Sequence, residues 1–171
     1  YESNAKLLEE FGDMVNQRPN EWDARWWSPI INAEHLAMRE RVAMIDLSAF
    51  AIFDIAGPGA LDFIQYVSVA QMDVPVGKAV YNLLLNTFGG IRSDLIMIRL
   101  GENHFRVVSG GGHGAVDKKW LQDHLPEDGT VHLCDMTSAL CTVGVWGPRA
   151  RDLVQSVTED DMSAEGFPFG S

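Results

Sequence analysis

The spacing of apolar and polar residues predicts a helical start to the chain. Residues 3–15 predict an amphipathic helix whose apolar face is formed by Leu7, Leu8, Phe11 and Met14. The next stretch, NQRPNEWDARWWSPI, is rich in Trp, Pro and Asn and predicts a linker packed onto a larger body. A second helix is predicted to begin at Asn32 or Ala33 and to continue through AEHLAMRERV.

The middle of the chain predicts an antiparallel meander. Residues 43–56 are β-like and end at Gly57-Pro58, after which PGALDFIQYV predicts a helix. AVYNLLLN and SDLIMIRL flank the Gly89-Gly90 turn as a hairpin, and HFRVVS extends it. Because SDLIMIRL carries apolar residues on both faces, this strand is predicted to be buried on both sides.

The last third predicts a helix, two strands and a final helix. GAVDKKWLQDHL is predicted to be helical, with Val116, Trp120 and Leu121 directed inward. TVHLCDM and LCTVGVW then predict two strands that lead to Gly147-Pro148 and the final helix.

A strand–Gly-Pro–helix unit occurs twice. FDIAGPGALDFIQYV and VGVWGPRARDLVQSV match at a constant offset, since 147 − 57 = 90 for the glycines and 152 − 62 = 90 for an aspartate in each helix. The predicted fold class is therefore α+β, an antiparallel meander with packed helices and this repeated unit.

Composition excludes several classes of partner. The net charge of −11, without a run of Lys or Arg, argues against binding to nucleic acid or to an anionic membrane. No apolar run approaches the roughly 20 residues that cross a bilayer. Cys134 and Cys141 lie in apolar, strand-like runs and are predicted to be buried, inert thiols. They fit a reducing compartment, the cytoplasm or alternatively the mitochondrial matrix.

Two patterns are candidates for cofactor or metal sites. Gly110, Gly112 and Ala115 have the G-x-G-x-x-A spacing of a dinucleotide fingerprint, with Asp135 near the expected acidic position. The predicted antiparallel context disfavours that interpretation, and a glycine-rich turn is the alternative. The five histidines lack the spacing of a metal site, so no metal is predicted.

Asp94 is the candidate for chemistry. It stands at the start of the strand LIMIRL, just after the Gly89-Gly90 turn. A carboxylate at this place is either a solvated turn residue or a group held in a pocket by hydrogen-bond donors. The pattern alone leaves both possibilities open.

Four motifs resemble a known family. EHLAMRERVAMIDLSAF, IAGPGALDFIQYV, PVGKAVYNLLLNTFGGIRSDLIMIRL and VWGPRARDLVQSV occur in the order found in the glycine-cleavage T-protein family. These proteins are tetrahydrofolate-dependent aminomethyltransferases, and their fold also forms the C-terminal half of dimethylglycine and sarcosine dehydrogenases. The resemblance implies an N-terminal helix and Trp-rich lead-in over residues 1–33. Residues 34–171 would be the first part of the folate-binding domain, truncated at its C-terminus.

NEWDARWWSPI and GGIRSDL resemble the flavin-linked dehydrogenase branch of the family more than the free-standing T-protein. This resemblance implies an FAD-containing amine oxidase domain upstream of Tyr1, in the same chain or in a partner chain. Tetrahydrofolate and a methylated amine are the small molecules implied. The family's second folate loop would follow the final helix, so this fragment alone is expected to be inactive.

By resemblance, Asp94 is the family's functional aspartate, which helps to orient and activate the folate for one-carbon transfer. Ser93 stands where many members have a further acid, and Arg106 replaces an aromatic residue seen in some. The folate-binding residues implied by the resemblance are Phe50, Tyr81, Ile96, Val108 and Gly110.

Other functions remain open at this point. The alternatives are a folate-dependent demethylase, a non-catalytic regulatory or assembly member with the same fold, and a domain used only for packing. Retention of Asp94 favours an enzyme, because a disused pocket has no need of a carboxylate that is costly to bury.

Overall fold

The computed structural model of the protein describes residues 2–16 and 28–171. Most of the predicted Trp-rich linker, residues 16–30, lies outside the described residues. The helices are α1 (Glu2–Phe11), a 3-10 turn (Gly12–Val15), α2 (Pro29–Glu40), α3 (Ala60–Val67), α4 (Gly114–Asp123) and α5 (Ala150–Gln155). The strands are β1 (Ala43–Asp46), β2 (Ala51–Ala56), β3 (Ala79–Leu85), β4 (Ile91–Gly101), β5 (His104–Ser109), β6 (His132–Asp135) and β7 (Val143–Trp146).

These elements form two compact units. The helical unit comprises residues 1–45 together with Val143–Phe167, and the sheet unit comprises Asp46–Thr142 together with Pro168–Ser171. The domain boundary predicted at residue 34 stays a prediction. The candidate residues all belong to the sheet unit.

Helix α2 begins earlier than the sequence pattern suggested. The Ser28 hydroxyl accepts a hydrogen bond from the backbone N–H of Ile31 at 3.3 Å, and Pro29 occupies the first turn. A serine cap followed by proline is a strong start signal, because the serine hydroxyl accepts from a free backbone N–H and proline has no N–H that needs a partner. The prediction of Asn32 or Ala33 was wrong since it followed the apolar spacing alone.

In the helical unit, α1 and α2 pack through a small apolar cluster. Phe11, Val15 and Ala33 are its buried members. The guanidinium of Arg41 pairs with the carboxylate of Glu10 beside this cluster. Strands β1 and β7 form a separate two-stranded ribbon.

Within the described residues, the sheet unit is built on five strands in the order β3-β4-β5-β2-β6. All the pairings are antiparallel, and β5 lies between β4 and β2. The predicted α+β meander is confirmed. The dinucleotide interpretation of the glycines after β5 is excluded, because that fingerprint requires a βαβ unit whose two strands lie in a parallel sheet, whereas β2 lies between β5 and β6 and pairs antiparallel with both.

One face of this sheet forms the core against α3 and α4. Phe53, Phe105 and Met97 are fully buried there, with Ile64 from α3 and Leu121 from α4. This face therefore supplies most of the apolar burial that stabilises the sheet unit.

The repeated unit is confirmed in three dimensions. Gly57 links β2 to α3 with φ +130°, and Gly147 links β7 to α5 with φ +118°. A Cβ on Gly57 would lie 2.3 Å from the carbonyl oxygen of Thr130, and a Cβ on Gly147 would lie 2.4 Å from that of Met38. Both positions thus require glycine for conformation and for space.

The predicted β-segment over residues 43–56 is interrupted. The backbone N–H of Phe50 donates to the carbonyl of Leu47 at 3.1 Å, and Asp46 accepts from the N–H of Ser48 at 2.9 Å. This Asx-type turn separates β1 from β2, because a short acceptor side chain competes with the β ladder.

The burial predictions for Val116 and for the two cysteines were wrong. Val116 is 55% exposed, because α4 turns Gly114, Asp117 and Leu121 inward instead. Cys134 and Cys141 are both exposed, free cysteines. Strand β6, which carries Cys134, is an edge strand.

Candidate functional site

The second face of the sheet carries two adjacent rows of side chains. Tyr81, Ile96, Val108 and Ile52 are partners in register across β3, β4, β5 and β2, and we call them the Tyr81 row. The next row begins with Leu83 and its partner Asp94. Gly110 follows Ser109, the partner of Leu95, so the register places it beside Asp94. Four of the six candidate residues therefore lie together on three strands, and a fifth, Gly110, directly follows β5.

This face is open, which corrects the expectation for β4. Burial alternates along the strand, with Ser93, Leu95 and Met97 buried and Asp94 exposed. Ile96 is 37% exposed and Tyr81 is 61% exposed. The strand was predicted to be buried on both sides because apolar residues occur at both parities. In this chain the alternate positions that include Ile96 form an apolar surface rather than core.

Asp94 and Tyr81 form a direct pair on this surface. The phenol of Tyr81 donates to Oδ2 of Asp94 at 3.2 Å. The pKa of Tyr81 is raised above its ordinary value, first by desolvation and then by the negative charge of Asp94 and this hydrogen bond. The arrangement leaves the remaining lone pairs of the carboxylate available to another donor.

Phe50 and Gly110 lie just outside the paired strands, directly before β2 and directly after β5. Phe50 is half-buried in the turn before β2, directly before Ala51, whose partner is Ser109. A Cβ built on Gly110 would meet no heavy atom within 4 Å, so the backbone there is open to a ligand. The neighbouring Gly111 differs, because its Cβ would overlap the carbonyl oxygen of Ala49.

A charged cluster that no sequence motif had indicated borders the Tyr81 row. Arg106 donates to the two carboxylate oxygens of Asp54 from Nε at 2.8 Å and from Nη2 at 2.9 Å. The Nε2 atom of His104 lies 3.0 Å from the same carboxylate. The Arg106 hydrogen bonds are the largest cause of a lowered pKa for Asp54. Opposite charges at alternating positions were a signal, but the β2–β5 pairing was not foreseeable.

The site is a surface patch and not a deep cavity. A cleft of about 290 Å³ in the sheet unit lies elsewhere, between the end of α3, the hairpin turn and α4, with Tyr66, Trp120 and His124 among its lining residues. Among residues 2–16 and 28–171 no group of three or more His, Cys, Asp or Glu side chains is placed to hold a metal ion. None of the described helices is long and apolar enough to span a membrane.

The GCVT N-terminal domain family matches residues 2–171. The chain belongs to this family. The resemblance to the glycine-cleavage T-protein family is thereby confirmed, and the chain is an aminomethyltransferase-like domain.

Two curated proteins and one solved structure illustrate the GCVT relationship. The chain is 38% identical over 148 residues to a 4-methylaminobutanoate oxidase (formaldehyde-forming) from Paenarthrobacter nicotinovorans, covering 86% of the chain and 17% of that protein. It is 33% identical over 144 residues to the mitochondrial pyruvate dehydrogenase phosphatase regulatory subunit of Mus musculus, covering 83% and 16%. The glycine cleavage system aminomethyltransferase T from Bartonella henselae superposes with a TM-score of 0.65 at 27% identity, covering 72% of the chain and 34% of that structure. The chain thus spans about a sixth of the two curated relatives.

Proposed function

We propose that the open face of the sheet unit binds tetrahydrofolate and that Asp94 assists one-carbon transfer to it. The observation that carries the proposal is the Tyr81–Asp94 pair, a carboxylate and a phenol 3.2 Å apart at the border of an apolar row. Membership of the GCVT family supports the folate assignment.

The residues present fit a flat ring with polar edges. The Tyr81 row offers one aromatic side chain and two accessible aliphatic ones, Ile96 and Val108, while its fourth member, Ile52, is buried. The accessible members suit a fused ring lying against the sheet. Gly110 leaves the backbone accessible at the end of β5. Asp94 offers a hydrogen-bond acceptor beside the row, as an amine N–H requires.

Tetrahydrofolate, when bound, supplies two amine nitrogens that together replace the parent amine on the one-carbon unit and release one proton. Asp94 accepts an amine N–H, stabilises the developing positive charge by its own negative charge, and takes up that proton before it passes to water. Tyr81 holds the carboxylate through its phenol and presents its ring to the ligand. The aliphatic members of the row exclude water from one face of the ring, which strengthens the carboxylate's interaction with the amine.

The proposal extends to the parent enzyme. We infer that the chain is part of a dimethylglycine- or sarcosine-dehydrogenase-like enzyme, in which an FAD-containing domain oxidises a methylated amine. The similarity to an oxidase described as formaldehyde-forming supports a one-carbon unit at the oxidation level of formaldehyde. Such a unit needs no further oxidant for capture by an amine.

A second candidate function is a regulatory one without transfer. The 33% identity to a phosphatase regulatory subunit favours it. The two candidates differ in their folate requirement: a regulatory member of this kind would form no methylene-tetrahydrofolate under any substrate condition.

The test is Asp94→Asn in the full-length protein, with amine oxidation and methylene-tetrahydrofolate formation measured separately. Oxidation is expected to stay within about twofold, and folate product is expected to fall by about 100-fold or more, the usual contribution of a general base. Asp62→Asn is the matched control, because Asp62 is an exposed carboxylate on α3, which packs on the opposite face. Equal product from Asp94→Asn and the control would remove Asp94 from the reaction.

A further inference from the structure

A buried carboxyl group lies behind the strands that carry the candidate site. Asp117 on α4 is only 2% exposed. It accepts a hydrogen bond from the hydroxyl of Ser93 on β4 at 2.8 Å and another from the hydroxyl of Ser109 on β5. Burying a carboxyl group is unfavourable unless donors satisfy it, so these two hydroxyls account for its place in the core.

The two serines adjoin the site in sequence. Ser93 directly precedes Asp94, and Ser109 lies between Val108 and Gly110. Successive side chains of a strand leave opposite faces, so a hydroxyl held on the core face fixes the backbone from which the next side chain leaves on the open face. The hydrogen bonds of Asp117 therefore help to fix the backbone at Asp94 and Gly110.

The backbone ladder is irregular at this end of the strands. The β3–β4 register shifts between Leu84 and Leu85, since Leu84 faces Ser93 while Leu85 faces Ile91. Strand β5 ends at Ser109. An irregular ladder holds its residues less firmly, so side-chain hydrogen bonds matter more here than in the middle of the sheet.

We propose that Ser93, Asp117 and Ser109 are positioning residues that hold the Asp94 carboxylate at the phenol of Tyr81. We call these three residues the serine clamp. Its consequence for one-carbon transfer rests on the proposed function, whereas its effect on the geometry of Asp94 does not. The Tyr81–Asp94 contact of 3.2 Å is long for a bond between a hydroxyl and a carboxylate, so a shift of a few tenths of an ångström would weaken it.

The clamp also predicts how its loss would affect catalysis. A group that acts by accepting a proton must be placed within a fraction of an ångström, and a misplaced one lowers the rate more than the affinity. Clamp variants in the full-length protein are therefore expected to lower kcat for folate product severalfold, with a smaller change in KM for tetrahydrofolate.

The decisive readout is the titration of Tyr81, which needs no folate. The charge of Asp94 and its hydrogen bond contribute to the raised pKa of Tyr81. A 3-fluorotyrosine placed at position 81 of the full-length protein reports this titration by fluorine NMR as a single resonance. In Asp94→Asn the titration is expected to fall to lower pH, which sets the full range of the effect.

Three variants test the clamp, and the shift of the Tyr81 titration in each is compared with the shift in Asp94→Asn. Ser93→Ala and Asp117→Asn are expected to move the Tyr81 titration at least halfway from the wild-type value to the Asp94→Asn value. Ser93→Thr keeps the hydroxyl and is expected to restore most of the wild-type value. Ile64→Val, a core change on α3 with no hydrogen bond to the clamp, is the control for general loss of stability and is expected to leave the titration unchanged.

The outcomes separate the clamp from the proposed function. If Ser93→Ala, or Asp117→Asn where it folds, titrates like the wild type, the clamp is overturned. Ser93→Ala keeps the Ser109 hydrogen bond, so it provides the answer even where Asp117→Asn does not fold. If Asp94→Asn forms normal folate product while the clamp variants shift the titration as expected, the proposed function fails and the clamp stands as a structural device.

Discussion

The two faces of the five-stranded sheet are built from the same strands but differ in role: one packs the core and the other carries the candidate site. On β4, Leu95 and Met97 face the core and are almost fully buried, whereas Ile96 on the other face is 37% exposed. The core face holds the fold through apolar contacts with α3 and α4. The open face carries the carboxylate and aromatic ring of the candidate site, and apart from Ile52 the members of the Tyr81 row are only partly buried or exposed. The comparison indicates that apolar residues alone do not identify the core of this protein.

The largest expected effect is on stability, when the same substitution, Ile→Ala, is made on each face of the sheet. Ile55→Ala removes a fully buried side chain and is expected to lower the free energy of unfolding by about 2–5 kcal/mol. Ile96→Ala, on the open face, is expected to cost about 1 kcal/mol or less. Urea unfolding of the two variants measures both values. Similar losses would mean that the open face is part of the stabilising core.

A smaller loss of stability is expected when the charged cluster of Asp54, Arg106 and His104 on the open face is disrupted. Asp54 has a lowered pKa because Arg106 binds its carboxylate. The folded state therefore favours the charged form, and this stabilisation is complete above the unfolded pKa of about 3.8 and is lost as the pH falls through the lower folded value. Asp54→Asn is expected to cost about 1 kcal/mol at neutral pH, as for a well-formed bidentate pair.

The pH profile of unfolding checks the Asp54 prediction. The difference between wild type and Asp54→Asn is expected to shrink progressively below pH 3.8, with Asp62→Asn as a control on α3. A difference that stays constant into acid would show that Arg106 does not stabilise the charged form of Asp54.

The smallest effect on stability is expected at Tyr81. Tyr81→Phe keeps the ring of the Tyr81 row and removes the phenol that contacts Asp94. Because the side chain is mostly exposed, the melting temperature is expected to be unchanged. Folate product formation is expected to fall between about twofold and tenfold, the value of one hydrogen bond. A 100-fold loss would assign the phenol a direct part in the reaction.

Local patterns predicted much of the fold. The Gly89-Gly90 hairpin, the meander through β5 and the two strand–Gly-Pro–helix units follow from turn residues and periodicity, and the structure contains each of them. The start of α2 was recoverable from Ser28 and Pro29, which are ordinary start signals. The place of β2 between β5 and β6 was not recoverable, because pairing between distant strands has no local signature.

In the candidate site, too, some residues could be predicted from the sequence and others could not. Asp94 and Tyr81 could be singled out through the family pattern, and their strands were correctly predicted to pair. The serine clamp could not, because Ser93 and Asp117 are 24 residues apart and belong to different elements. A signal existed at Asp117, which shares an inward face with Gly114 and Leu121 at helical spacing. A polar residue at such a position indicates a buried hydrogen-bonding partner without naming it.

The most direct test of the central claim is a structure of the full-length protein with a reduced folate bound. We expect the pterin ring to lie against Tyr81, Ile96 and Val108, with an amine nitrogen within hydrogen-bond distance of the Asp94 carboxylate. A folate bound away from this face, with Asp94 still in contact with solvent, would contradict it.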